Sequence, residues 1–184
     1  QRQMCIRDRG MQTAGICAFM AKAEGGKLNY CTNYGDISCP SGRTGGIVAT
    51  LMYGNIYNCD NRGTIEDDKV GQFEGKEASI TYNYKRMGGI VGGTDDLKTK
   101  PECTVESCTN YGNVMTHLSV RTGGIIGHSN IQVIGCVNKG AVLGDVFTEG
   151  NGTNRHGPGW LCGYSGASTA TWTNCKACVC GGYV

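Results

Sequence analysis

The pentapeptide CTNYG stands at Cys31–Gly35 and recurs letter for letter at Cys108–Gly112. Two looser copies of its C-x-N-x-G pattern lie at Cys59–Gly63 and Cys136–Gly140. Each copy has an apolar residue three positions before the cysteine and an isoleucine or valine two positions after the glycine. Because self-similarity of this kind marks equivalent places in a repeated structure, the pattern predicts a repeat protein.

A second motif alternates with the pentapeptide. It has the form G-G-I-V-G, and its copies are 31, 43, 35 and 36 residues apart, beginning at Ala14, Gly45, Gly88, Gly123 and Gly159. A degenerate fifth cysteine motif surrounds Cys175. Two motifs that alternate in step over most of the chain predict about five repeat units.

The composition indicates an all-β fold. Glycine accounts for 31 of the 184 residues and proline for only 3, which excludes collagen and proline-rich linkers. The apolar segments are short, β-branched and bounded by glycine and asparagine, as in strands, and none keeps a helical period or could span a membrane. Each unit offers three short strands, and stacked units of this kind form a parallel β-solenoid of about five coils with loop insertions.

The first nine residues, QRQMCIRDR, do not fit the repeats. They match the translation of a transposon-based sequencing adapter, so we expect residues 1–9 to be a library artefact and residues 10–184 to be one solenoid domain from a longer chain. Without Arg2, Arg7, Arg9 and Asp8, the formal net charge falls from +2 to 0, with 14 basic and 14 acidic residues. A neutral chain gives no reason to expect nucleic-acid binding.

Coils stacked in register would place like residues in rows, about 4.8 Å apart. The cysteine row comprises Cys31, Cys59, Cys108 and Cys136, with Cys175 as a fifth candidate, and the asparagine row comprises Asn33, Asn61, Asn110 and Asn138. The cysteines are expected to be buried free thiols, because their Cβ spacing exceeds that of a disulfide. The asparagines are expected at a corner, with a left-handed backbone and stacked amides that bond to one another, and the pentapeptide glycines would supply the permissive turn.

Two further rows would face outward. One comprises Arg43, Arg86 and Arg121, and the other comprises Tyr34, Arg62, Tyr111 and Lys139. As ordinary surface, the second row would gain cation–π contacts of about 0.5–1 kcal/mol per exposed pair. As contact strips, the aromatic faces would suit sugar rings, and the arginines would suit carboxylate or sulfate groups. Both interpretations stay open.

The unequal spacing of the glycine motifs predicts loops outside the stacked coils, at about 67–86, 92–104 and 145–158. The segment SITYNYK at Ser79–Lys85 alternates apolar and polar residues and is compatible with a short extra strand in the first loop. The register of Ile47, Ile90 and Ile125 is expected to hold across these insertions.

Chemical sites have little support in the sequence. Cys175, Cys178 and Cys180 have metal-like spacing, but a fourth ligand is missing and a solenoid end is the preferred interpretation. Cys17 and Cys162 align with apolar core positions. A polysaccharide lyase or hydrolase would need acid and base groups that converge on one face. The acidic candidates are Glu66, Asp67, Asp68, Asp95 and Asp96, while His117, His128 and His156 fall in unrelated registers.

The element G-G-[IV]-[IV]-G followed by I-x-x-C-x-N-x-G-x-[IV] resembles the GLUG-type repeats of bacterial surface and secreted proteins, from about Thr13 to Val146. The resemblance implies solenoid stalks or adhesin-like regions and brings no catalytic residues. We therefore expect a non-catalytic region of an extracellular or cell-surface protein, without a cofactor, that serves as a stalk or as an adhesion and glycan-contact surface. Its partner would be a polysaccharide or a host or cell-surface protein. The alternative is a fragment of a carbohydrate-active β-helix enzyme.

Overall fold

Short parallel strands, one per sheet in each turn of the chain, build this molecule. The computed structural model describes residues 6–7, 12–21, 26–39, 42–67, 86–94, 102–116, 121–144, 147–148, 155–156, 158–165 and 170–178. All regular structure within these ranges is strand, and every strand pairs in parallel except one small hairpin. The predicted all-β parallel solenoid is therefore confirmed.

The strands form five sheets, numbered here in the order in which each coil visits them. Sheet one holds Gln12–Ala14, Arg43–Gly45, Arg86–Gly88 and Arg121–Gly123. Sheet two holds Cys17–Met20, Val48–Leu51, Val91–Thr94, Ile126–Ser129 and Cys162–Ser165. Sheet three holds Lys27–Asn29, Asn55–Tyr57, Thr104–Glu106, Gln132–Ile134 and Thr171–Thr173.

Two more sheets complete each coil. Sheet four holds Thr32–Asn33, Asp60–Asn61, Thr109–Asn110, Val137–Asn138 and Lys176–Ala177. Sheet five holds Ile6–Arg7, Ile37–Ser38, Ile65–Glu66, Val114–Thr116 and Val142–Gly144. Coils one to five thus begin at Gln12, Arg43, Arg86, Arg121 and Gly159, and neighbouring strands in every sheet come from consecutive coils.

A full coil contains five strands, so the expectation of three was wrong. One of the two extra strands is the sheet-four strand at the pentapeptide, and the other results from a division inside the glycine motif, where the chain bends between sheets one and two. A Cβ on Gly45 would meet the carbonyl oxygen of Val48, and a Cβ on Gly46 would meet the side chain of Asn61. Only glycine fits both positions, and the bend divides what the pattern predicts as one strand.

The register across the insertions is as predicted. The Ile47 amide donates to the Ile90 carbonyl at 3.0 Å, and the Ile90 amide donates to the Ile125 carbonyl at 2.9 Å. Because these bonds join coils separated by loops of different length, the insertions leave the stack undisturbed.

The predicted loop boundaries need correction. Asp67 and Arg86 belong to the coils, Val91–Thr94 is a strand of sheet two, and Thr104 begins a strand of sheet three. The third insertion contains an antiparallel hairpin of Phe147–Thr148 and Arg155–His156. Ser79–Lys85 lies outside the described residues. Ile6–Arg7 pairs with Ile37–Ser38, and the prediction that residues 1–9 are an artefact stays a prediction.

The interior contains two clusters of buried apolar side chains. The larger lies between sheets two, three and four and includes Ile47, Leu51, Ile56, Ile90 and Val105. The smaller lies between sheets one and five and comprises Ile37, Ile65, Met87, Val114 and Val142. Each coil buries its inner face only against its neighbours, as expected for a solenoid.

The asparagine row forms a continuous ladder of side-chain hydrogen bonds. Asn33 donates to Asn61, Asn61 to Asn110 and Asn110 to Asn138, each through Nδ2–H and Oδ1 at 2.8 Å. The second Nδ2–H of each amide bonds the carbonyl of the pentapeptide glycine two residues later, at 2.8–2.9 Å. All four asparagines are fully buried, and the predicted stacking of amides is confirmed.

The left-handed backbone lies elsewhere than predicted. The asparagines end the strands of sheet four, and the positive φ belongs to the residue directly before each cysteine of the row. This row consists of Tyr30, Asn58, Ser107, Gly135 and Asn174, with φ of 55°, 49°, 53°, 60° and 54°. The pentapeptide glycines are needed for close stacking instead, because a Cβ on Gly63 would meet the Gly35 carbonyl of the previous coil.

We expect Asn110→Ala to lower the free energy of unfolding by about 2–4 kcal/mol, because it leaves buried amide and carbonyl groups of three coils without partners. Asn113→Ala is the matched control in the same coil, since Asn113 is exposed and accepts one bond from the Ala141 amide at 3.1 Å. That change should cost about 1 kcal/mol or less. Urea denaturation of both variants measures the difference, and equal midpoints would contradict the central place of the ladder.

Candidate contact surface

An exposed row of alternating tyrosines and cations runs over coils one to four. This tyrosine–cation strip comprises Tyr34, Arg62, Tyr111 and Lys139. Each member directly follows a ladder asparagine, and the parallel register of sheet four aligns those asparagines. Tyr34 is 66% exposed and Tyr111 37% exposed, so the predicted outward row is present on the surface.

The cations of the strip lie over its aromatic rings. The Arg62 guanidinium is 4.5 Å from the Tyr111 ring centroid and 5.8 Å from that of Tyr34, and the Lys139 ammonium is 4.7 Å from the Tyr111 centroid. Because coils two and four lie on opposite sides of coil three, both faces of the Tyr111 ring are covered. The cation–π contacts expected for the row are therefore present, and its use as a contact strip stays a prediction.

The charge around the strip is mixed but mainly positive. The Asp60 carboxylate is 3.8 Å from the Arg62 guanidinium, and the two side chains are 30% and 45% exposed, so this ion pair contributes little. Lys176 is exposed in coil five, in register with Val137. The Asp36 carboxylate is engaged at 2.7 Å by the Thr64 amide.

The arginine row has the predicted register but a different environment. Arg86 pairs in sheet one with Arg43 on one side and Arg121 on the other. Arg86 is only 4% exposed, lies against Gly93 and donates to the Thr94 carbonyl, while the other two are half-buried. The expectation of an outward contact strip is therefore wrong for Arg86, because the missing side chain of Gly93 lets the guanidinium fold back onto sheet two.

The remaining arginines also contact their own protein. Arg43 donates to the Thr50 hydroxyl at 3.4 Å. The Arg121 guanidinium lies 4.2 Å from the ring centroid of Tyr164, which is in turn 5.2 Å from the ring of buried His128. These contacts bind the arginine row to sheet two, so this row is a weaker candidate surface than the tyrosine–cation strip.

The acidic candidates are not brought together at a surface by the described residues. Asp67 is buried, and its carboxylate accepts a hydrogen bond from the Thr116 hydroxyl at 2.8 Å. Glu66 is half-buried, and Asp68, Asp95 and Asp96 lie outside the described residues. His117 also lies outside them, and His156 belongs to the hairpin strand.

The cysteine row lies inside the stack, with one correction. Cys59, Cys108 and Cys136 are fully buried free thiols, whereas Cys31 is only half-buried because coil one leaves it at the edge. Each of these thiols donates to the backbone carbonyl two residues earlier, at 3.1–3.7 Å. Cys175 continues the row in coil five, with its thiol 3.5 Å from the Val133 carbonyl.

Contacts between neighbouring thiols and burial shift the pKa values of the row. Contacts with Cys136 and Cys59, together with burial, raise the pKa of the Cys108 thiol. The contact with Cys108 is the main cause of the lowered pKa of the Cys59 and Cys136 thiols. Burial raises the pKa of Cys31 and of Cys175.

The remaining cysteines of the first and last coils differ in their exposure to solvent. Cys17 aligns with Val48 and Cys162 with Ile126, as predicted, and both are half-buried. Burial raises the pKa of the Cys162 thiol to about 12. Cys178 is exposed while Cys175 points into the row, and no group of three or more metal-ligating side chains occurs in the part of the chain that the structure describes.

The structure adds two contacts that the sequence reasoning missed. Asp60 is beside Arg62, and their i, i+2 spacing across the end of a sheet-four strand was the available signal. Tyr164 beneath Arg121 gave no such signal, because the two residues belong to different coils. No helix in the described ranges has the length and apolar character to cross a membrane.

Comparisons with known proteins identify no relative. A scan against protein-family models gives no match to the chain, and searches of the curated proteins and of the solved structures give none either. The candidate surface therefore has to be judged on its own geometry.

We expect timed alkylation of the native protein to divide the cysteines by exposure. Exposed Cys178 should react first, and Cys59, Cys108 and Cys136 should react only when the coils open, since burial excludes the reagent. Peptide mass spectrometry measures each rate, with a urea-unfolded sample as the control. Rapid native labelling of the buried three would contradict the position of the row.

The alkylation rate of Cys162 should rise with pH. Only the thiolate reacts, and a pKa raised to about 12 leaves almost all of this half-buried thiol protonated near neutral pH. The rate should therefore keep rising about tenfold per pH unit between pH 8 and 10, measured in the same mass-spectrometry assay. A rate that levels off before pH 10, as for a thiol of ordinary pKa, would contradict the raised pKa.

A double-mutant cycle of Arg62→Gln and Tyr111→Leu should give a coupling energy of about 0.5–1 kcal/mol, as expected for one exposed cation–π pair. Urea denaturation of the wild type, both single variants and the double variant supplies the four values. A coupling of zero within error would mean that the contact at 4.5 Å does not stabilise the stack.

Proposed function

We propose that this chain is a non-catalytic repeat region of an extracellular or cell-surface protein, and that it serves as a stalk that presents the tyrosine–cation strip to a polysaccharide. The observation that carries the proposal is the strip itself, which continues without interruption over four coils on a surface aligned by the buried asparagine ladder. A host or cell-surface protein is the other partner class that such a surface could contact.

The coil stack supports the role of a stalk. Coils one to four bond to one another through five parallel sheets, coil five joins coil four through sheets two, three and four, and side-chain bonds of the ladder join coils one to four. Solenoids of this kind are quasi-one-dimensional, so added coils extend the molecule by about 4.8 Å each without changing its cross-section. This property suits a spacer between a cell and its surroundings.

The chemistry of the strip supports a polymeric ligand. It presents phenol, guanidinium, phenol and ammonium groups on four successive coils, at intervals of about 4.8 Å, and all four groups can donate hydrogen bonds. A linear array of donors fits a linear chain of acceptors better than it fits a compact small molecule. The resemblance to GLUG-type repeats of bacterial surface proteins points to the same kind of location, as an analogy.

The enzyme alternative has less support than the stalk. A hydrolase or lyase requires carboxylates at a substrate-accessible face, and the Asp67 carboxylate is instead buried against Thr116. We therefore propose contact without chemical conversion.

The double variant Tyr34→Ser with Tyr111→Ser should weaken binding to immobilised polysaccharides at least threefold, because it removes two hydroxyl edges and both platforms for the cations. Tyr30→Asn is the matched control, since Tyr30 is 78% exposed and lies off the strip, and Asn58 and Asn174 occupy its place in other coils. Wild type and variants are compared on a panel of acidic and neutral polysaccharides, with release of reducing ends assayed in parallel.

Equal binding of the strip variant and the wild type to every member of the panel would show that the strip is ordinary surface. Release of reducing ends from any member would contradict the non-catalytic role. Circular dichroism and thermal melting of each variant establish that the coils remain folded.

A further inference from the structure

The orientation of the rings determines what the tyrosine–cation strip can recognise. Because cations cover both faces of Tyr111, a ligand lying on the strip meets the tyrosine hydroxyl groups and the N–H groups of Arg62 and Lys139. Neutral and positive groups therefore alternate coil by coil. The strip is an ordered series of hydrogen-bond donors in which every second one carries a charge.

The spacing of the two cations sets a period for the ligand. Arg62 and Lys139 belong to coils two and four, and two coil spacings are about 9.6 Å. The tyrosines of coils one and three have the same period, offset by one coil. A disaccharide in an extended polysaccharide has a comparable length, and a chain of this kind can place one equivalent group over every second coil.

We propose that the strip binds an extended acidic polysaccharide that runs parallel to the solenoid axis and turns one carboxylate or sulfate group per disaccharide toward Arg62 and Lys139. The inference rests on the proposed function, because it names the ligand of the same surface. The tyrosine hydroxyl groups bond the oxygen atoms of the intervening sugars, and the arginine fork and the lysine ammonium bind the anions.

An acidic protein segment fits this period less well. Side chains on one face of a β-strand recur about every 6.6 Å, and the turns of an α-helix recur about every 5.4 Å. Neither of these two spacings equals the distance of about 9.6 Å between the coils that carry Arg62 and Lys139. A polymer with a disaccharide repeat meets both of them with the same chemical group.

The two cations are not equivalent. The Asp60 carboxylate at 3.8 Å from Arg62 reduces the attraction of coil two for an anion, although it leaves most of the guanidinium N–H groups available. The structure shows no acidic residue at such a distance from Lys139 among the described side chains. Lys139 should therefore contribute more to binding than Arg62 does.

Hyaluronan, which carries one carboxylate per disaccharide, and its carboxyl-reduced neutral form are the first pair of probes. Wild type should bind hyaluronan, with an affinity that falls as salt is raised, and should bind the reduced polymer several-fold more weakly. Lys139→Gln should weaken hyaluronan binding about two- to fivefold and Arg62→Gln by less, as expected for exposed ion pairs. Lys27→Gln is the matched control, an exposed lysine on sheet three whose loss should change binding by less than twofold.

A position swap tests the period directly. The double variant Arg62→Tyr with Tyr111→Arg keeps the composition and the net charge of the strip but puts the cations on the adjacent coils three and four. It should bind hyaluronan about two- to fivefold more weakly than wild type, because only one cation remains in phase with the anions. Thermal melting establishes that the swapped variant keeps its fold.

The outcomes separate this inference from the proposed function. Equal binding of hyaluronan and its reduced form would overturn the acidic ligand, and equal binding by the swapped variant would overturn the period; contact with glycans through the strip would stand in both cases. If Lys139→Gln and the variant with Tyr34→Ser and Tyr111→Ser bind every polymer as wild type does, or if wild type binds none, both the inference and the proposed function fail.

Discussion

The side-chain amide of the ladder asparagine is the contact on which the other features depend. It donates one hydrogen bond to the next coil and one to the glycine carbonyl two residues later, so it fixes both the register of the stack and the shape of the turn. It also packs against the second glycine of the glycine motif. The asparagine of the pentapeptide and the second glycine of the glycine motif therefore contact each other across the solenoid, which explains why the two motifs alternate in the sequence.

The buried asparagine ladder determines how the exposed side chains of the tyrosine–cation strip are aligned. The strip residues follow the asparagines directly, and a shift of one coil against the next would break buried amide bonds before it could misalign the exposed side chains. Exposed side chains on most proteins are held far less firmly, because their contacts contribute little energy. Here the buried ladder keeps Arg62 over Tyr111, and the spacing along the strip equals the spacing of the coils.

The sequence was sufficient for the architecture and for the identity of the rows, because stacking in register needs only equal offsets from Asn33, Asn61 and their equivalents. The sequence did not reveal structural rows in which the residue type differs from coil to coil. The left-handed row is occupied by tyrosine, asparagine, serine and glycine, so no pattern indicated it. The burial of Arg86 depends on its contact with Gly93 in sheet two, which the shared offset of the arginine row does not show.

The ladder also has a direction. Each asparagine donates toward the next coil and receives from the previous one, while Asn33 accepts from the Gly35 amide and Asn138 donates to the Trp160 carbonyl in a coil that has Ala177 in its place. Any internal coil that carries the asparagine therefore gives and receives in the same way as its neighbours. Duplication or deletion of such a unit leaves every amide satisfied, so the length of the stack can vary during evolution without a redesign of its interior.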